Sequence, residues 1–117
     1  MKIFDLSRII RAGGYSLRGL RHALTQERAF QQELALSILL IPLAFVLTPV
    51  GLERALLISA VFLALIVEIL NTGLEVLVNR ISTDQHPLSG LAKDLGSAAV
   101  FLALLNAAVV WALVLLA

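Results

Sequence analysis

Glu68, Asn71 and Glu75 stand three and four residues apart in IVEILNTGLEVLVNR, residues 66–80. At 100° per residue that spacing confines two carboxylates and an amide to a strip roughly 60° wide on one helix face. Such a group can hold a hard cation through oxygen and can accept a proton. The run that carries it is apolar from Ala55 onward. An ionisable group inside such a run usually faces a bundle interior and marks a functional site. If the run begins near Ala55 and needs about 20 residues to cross a bilayer, Glu75 lies near the membrane boundary. Glu68 then lies roughly 10 Å deeper. Deep Glu68 is the candidate proton acceptor, and shallow Glu75 the candidate cation ligand. The competing reading makes Glu68 a neutral hydrogen-bonding group between helices and Glu75 a solvated interfacial charge.

Further charges gather at the same end. Glu27 and Glu33, within ERAFQQE (27–33), flank the preceding apolar run, and Lys93 and Asp94 stand at the entrance to the last one. A lysine there either neutralises phosphate or serves as an ordinary interfacial cation. Carboxylates, arginines and a lysine on one face suit a Mg-bound polyanion handled at the surface, with the acceptor arriving from within the bilayer. The sequence has no GxxxxGK[ST] loop and no protein-kinase loop motif. With no cysteine, thiolate catalysis and cysteine metal sites are excluded.

The elements that must position these residues are membrane helices. Of 117 residues, 60% are hydrophobic and 15% charged, too little polar surface for a soluble domain of this size. Residues 34–52 and 95–117 contain no charge, and 55–78 is long enough to span. The expected fold is an all-α integral membrane protein with these three segments as transmembrane helices. Residues 1–32 read as an amphipathic interfacial helix. Ile3, Leu6, Ile10, Gly13, Leu17, Leu20 and Leu24 share one face, and Arg8, Arg11 and Arg18 lie on another. Gly13-Gly14 suggests a break or a close approach to another helix, Pro42 a kink, and Pro49-Val50-Gly51 a turn. No cleavable signal peptide is expected, because basic residues interrupt the first thirty positions. Lys2, Arg8, Arg11, Arg18, Arg21 and Arg28 before the first span, with Arg80 and Lys93 in the polar 79–94 segment, place both regions in the cytoplasm. The C-terminus then lies on the opposite side. Gly96, Ala99, Ala103 and Ala107 recur at helical spacing and allow close helix approach, with Asn106 near the same face. Three spans of this size enclose little space alone, which argues for a homo-oligomer.

AFQQE (29–33), EILNTGLE (68–75) and HPLSGLAKDLGSAAV (86–100) resemble, in order and spacing, the small bacterial integral-membrane diacylglycerol kinases. The resemblance implies a homotrimer in the bacterial inner membrane that uses MgATP to phosphorylate diacylglycerol, giving phosphatidic acid, with no nucleic-acid partner. It implies that Glu68 is the general base and that Asn71 organises the catalytic strip. Glu27 and Glu75 would hold Mg2+ against the ATP phosphates. Lys93 and Asp94, with Asp84, Gln85 and His86, would contact nucleotide, joined by Arg8 and Tyr15. Arg8, Arg21, Ala29, Phe30, Gln31, Gln32, Glu33, Arg54, Glu68, Ser97 and Trp111 match lipid-contacting positions. Asn79 stands where the family has an aspartate and Leu91 where a basic residue is common. Neither falls on the catalytic strip, so activity is expected to survive with altered nucleotide affinity. Undecaprenol is the alternative lipid. A small proton-coupled transporter, which leaves Glu27, Glu75 and Lys93 without roles, and a purely structural subunit, in which Glu68 would serve assembly rather than turnover, are the alternatives of other classes.

Overall fold

Asp5 starts the first helix. Its backbone is extended, and its carboxylate accepts from the Arg8 N–H at 3.3 Å and the Ser7 hydroxyl at 2.8 Å. The Ser7 hydroxyl and then the Arg8 N–H hold the Asp5 carboxyl below its ordinary range. The computed structural model describes residues 3–81 and 83–117; Lys2, counted above among the basic residues, lies outside them. The helices are α1 (Leu6–Gln26), α2 (Arg28–Leu47), α3 (Gly51–Ile81) and α4 (Pro87–Leu116). The last three are long and apolar enough to cross a membrane.

α1 runs through Gly13-Gly14 without a break, and a Cβ at either glycine would meet nothing within 4 Å. The expected break is therefore corrected, and no other helix of this chain approaches the pair. Each glycine costs about 1 kcal/mol in a helix interior, which the surrounding helix formers outweigh. The break falls at Glu27, before the boundary expected at residue 32. Glu27 is extended and serves as both the C-cap of α1 and the N-cap of α2. Its N–H goes to the Ala23 carbonyl, and the Gln31 amide donates to the Leu24 carbonyl at 2.8 Å, so the end of α1 is closed without a further turn.

The α2–α3 turn is closed by side chains. Thr48 donates to Glu53 at 3.0 Å and accepts from Val50 N at 3.2 Å. The Arg54 guanidinium donates to the Thr48 carbonyl at 2.7 Å and the Phe45 carbonyl at 3.0 Å, and lies 5.0 Å from the Phe45 ring centroid. The 79–94 segment, read as a polar loop, is mostly helix. α3 continues to Ile81, and α4 begins at Pro87, whose missing N–H is tolerated in the first turn. His86 caps α4 by accepting from Leu88 N at 3.1 Å.

α3 is the central element: α4 packs along it, α2 packs on it, and α1 touches α2. Its buried face is Leu57, Ala60, Val61, Ala64, Leu65, Glu68 and Val78, at spacings of three and four for most of its length. From α4, Gly96 and Ala103 are buried and Ala107 is half-buried against α2 and α3, so three of the four small residues expected reach the contact. Ala99 and Asn106 are exposed. At 100° per residue Asn106 is turned roughly 80° from Gly96, which takes it off the contact. In lipid, such contacts gain stability from close packing and hydrogen bonds. The Trp111 indole N–H supplies one by donating to the Leu57 carbonyl at 3.1 Å. A cluster of Ala23, Phe30 and Leu65, with Leu34 and Ile69 against it, joins the end of α1 to α2 and α3.

Candidate active site

The Ala23–Phe30–Leu65 cluster brings the Glu27 region and Glu33 to the α3 strip. Glu68 is 7% exposed, buried deeply enough that its partner decides what it can do. That partner is Glu33 of α2, whose carboxyl shares a hydrogen bond with it. A carboxyl–carboxyl hydrogen bond needs a proton on one member, so the pair is built to hold a proton at this depth. Glu27 and Glu75 both lie close enough to act on Glu68 electrostatically. Sequence reasoning counts Glu33 among the carboxylates of one membrane face and as a lipid-contacting position, but no spacing rule links it to Glu68 on another helix.

One turn further along α3, the Asn71 amide donates to Glu75 Oε1 at 3.3 Å. Asn71 Oδ1 is buried without a hydrogen-bond partner among the described residues and points at Gly96 of α4. A Cβ on Gly96 would collide with Asn71 Oδ1 and meet Leu74 Cδ2 at 3.0 Å. Gly96 thus lets α4 approach until Asn71 is wedged toward Glu75. Gly96→Ala is expected to displace the Asn71 side chain and cost about 1–3 kcal/mol of helix–helix stability through overpacking. A detergent-resistance assay of the variant checks this; full stability would show that Asn71 does not depend on the glycine.

The strip leads up to a cleft. Val78, one turn beyond Glu75, lines a cleft of about 520 Å³ together with Thr83, Asp84, Gln85, His86, Ser89 and Lys93. That volume lies in the range of small-molecule sites. The cleft thus contains Asp84, Gln85, His86 and Lys93, four of the residues expected to contact nucleotide. Asp94 and Ser97 are exposed near it on α4. Helical periodicity aligns the two sides: Lys93 is one turn from Gly96, as Glu75 is one turn from Asn71.

The structure does not bring the whole expected set together. Arg54 is spent on the α2–α3 turn. It lies 14 residues before Glu68 on the same helix, roughly 21 Å away along the axis. Trp111 is tied to Leu57 and also lies far from Glu68. Both pin helices in this chain. Phe30 is 4% exposed and belongs to the core cluster, whereas Ala29, Gln31 and Gln32 are exposed. Arg8 lines a separate hollow with Ile3, Phe4 and Asp5, and the Arg18 guanidinium lies 4.8 Å from the ring centroid of Tyr15, on an α1 that meets the rest of this chain chiefly through α2. Arg21 is exposed on the same helix. Sequence reasoning missed His22, whose Nε2 lies 3.3 Å from Glu27 Oε1. The separation of five residues, across a helix end, hid that pair.

A family model described as prokaryotic diacylglycerol kinase matches residues 14–115. A Pseudomonas aeruginosa protein named diacylglycerol kinase is 51% identical over 95% of this chain and 90% of its own length. An Escherichia coli (strain K12) protein of the same name is 48% identical over 93% of this chain and 89% of its own. A Helicobacter pylori relative, also so named, is 39% identical over 99% of this chain and 91% of its own.

Proposed function

Because this chain belongs to the prokaryotic diacylglycerol kinase family, we propose that it transfers the γ-phosphate of MgATP to the hydroxyl of diacylglycerol, giving phosphatidic acid. The observation that carries this reading is the continuous path from buried Glu68, through Asn71 and Glu75, to the cleft lined by Lys93. It meets a lipid hydroxyl from below and a water-soluble nucleotide from above.

Glu68 accepts the proton of the lipid hydroxyl as its oxygen bonds to the γ-phosphorus and the bond to the β–γ bridging oxygen breaks. Glu33 holds Glu68 at the depth of that hydroxyl. Lys93 neutralises phosphate charge, and Asn71 fixes the Glu75 carboxylate. Glu27 and Glu75 would hold Mg2+. Their chemistry fits it: both are carboxylates that act on Glu68 electrostatically, so they gather around one place, and Asn71 holds the Glu75 oxygen. Mg2+ typically takes one or two carboxylates and fills the rest of its shell with water and substrate phosphates. When bound, the ion offsets charge on the transferring phosphoryl group.

The chain acts in a bacterial inner membrane with its N-terminus and the 79–94 segment in the cytoplasm, α1 lying in the interface. Arg8, Arg11, Arg18 and Arg21 on α1, with Arg80 and Lys93, support that orientation. It works as a homotrimer. A single protomer leaves the cleft open and Arg8 and Tyr15 away from it, and neighbouring copies would close it. The test is transfer of labelled γ-phosphate from ATP by purified protein offered diacylglycerol and undecaprenol in parallel. Label in phosphatidic acid is expected; label in undecaprenyl phosphate alone would replace the substrate, and label in neither lipid would overturn the reading.

A further inference from the structure

Glu33 reaches the site from α2, and its two carboxyl oxygens have different surroundings. Oε2 is buried with no hydrogen-bond partner among the described residues, so the bond shared with Glu68 runs through the other oxygen. Glu33 also lines a narrow crevice between α2, α3 and α4, with Leu36, Ser37, Leu40, Val61, Ala64 and Leu104. The Ser37 hydroxyl is spent on the Glu33 carbonyl at 2.7 Å. The remaining walls are apolar and offer neither a donor nor the partners that hold a buried water. The charged neighbours that act on Glu68 are Glu75 on α3 and Glu27 at the α1–α2 junction, both acidic. A second negative charge on the pair would gain no offset from them.

An ionised carboxylate spreads its charge over both oxygens. Burying a charged oxygen without a donor costs far more than burying the carbonyl oxygen of a neutral acid. We infer that Glu33 is the neutral member of the pair, its hydroxyl donating to an ionised Glu68 while its carbonyl oxygen is the one left unbonded. The inverse assignment would leave a charged Glu33 with a bare oxygen and a base already protonated. Glu33 is then a positioning residue for the proposed transfer, and its role in turnover rests on that reading. Its hydroxyl occupies one Glu68 oxygen and leaves the other to take the proton of the lipid hydroxyl. That proton moves as the lipid oxygen bonds to the γ-phosphorus and the bond to the β–γ bridging oxygen breaks. The Glu33 proton stays in place, and the proton gained by Glu68 is lost to water before the next turnover.

The test is infrared spectroscopy of full-length protein in lipid vesicles with neither nucleotide nor diacylglycerol, so it is read apart from any kinase assay. At neutral pH the wild type is expected to show the carbonyl stretch of a protonated carboxyl. Glu33→Gln should lose that band. Glu68→Gln should keep it, because the crevice around Glu33 is unchanged and an amide accepts the bond as a carboxylate does. No band in the wild type, a band that survives Glu33→Gln, or its loss in Glu68→Gln would overturn the inference. In turnover, Glu33→Met fills a similar volume without a donor and is expected to lower kcat by about tenfold to a hundredfold. Glu33→Gln keeps an N–H donor for Glu68 and should restore most of that loss. If Gln serves no better than Met in assembled protein, Glu33 passes its proton on rather than holding it, and the assignment fails. Should Glu33→Met not assemble, the spectra decide without it.

Discussion

Glu68→Gln lowers lipid phosphorylation by about 10² to 10⁴, the usual contribution of a positioned general base. Gln has the same shape, and its amide still donates to Glu33, so the buried contact between α2 and α3 survives. Removing a buried ionisable group leaves assembly unchanged or firmer. The reading in which Glu68 only bridges helices requires the reverse, with weakened assembly and normal turnover per assembled protein. Turnover and oligomer stability measured on one preparation separate the two. Near wild-type phosphorylation of diacylglycerol by Glu68→Gln would remove Glu68 from the chemistry.

Glu75→Gln is expected to lower kcat/KM for MgATP on the order of 10²-fold. An amide oxygen is a poor substitute for a carboxylate on a hard cation. The substitution keeps the volume and leaves an acceptor for the Asn71 amide, now 3.3 Å from Glu75 Oε1, so α3–α4 packing persists. The loss should be greatest at limiting Mg2+, and Glu27→Gln should show the same dependence. Titration of activity against free Mg2+ provides the check. Normal turnover at limiting Mg2+ in both variants would end the metal-ligand assignment.

The helices were legible because apolar runs leave little choice in a bilayer: every backbone group must be bonded internally, which only helix or closed barrel achieves. The Glu68–Asn71–Glu75 strip was legible because helical spacing converts sequence separation into angle. What was hidden depends on contacts between elements. Glu33 meets Glu68 from another helix, and His22 meets Glu27 across a helix end, where no periodicity applies. The break at Glu27 was hidden because it falls in a stretch with neither proline nor glycine, with the end of α1 closed by side-chain and backbone bonds. Composition likewise made 79–94 look like loop, although capping by His86 and Pro87 starts the last helix well inside it.

The turn between α2 and α3 bears on how the protein enters its membrane. On the proposed orientation its tip must be carried through the hydrocarbon, and it holds Glu53 and Arg54. Insertion scales charge about 2.5–3.5 kcal/mol for an arginine at the midplane. Here the guanidinium is already spent on the Phe45 and Thr48 carbonyls and Glu53 accepts from Thr48, so the tip travels with its polar groups satisfied. α2 and α3 are therefore suited to leave the translocation machinery as one hairpin, and damage at Thr48 would be felt during biogenesis, before any substrate is met.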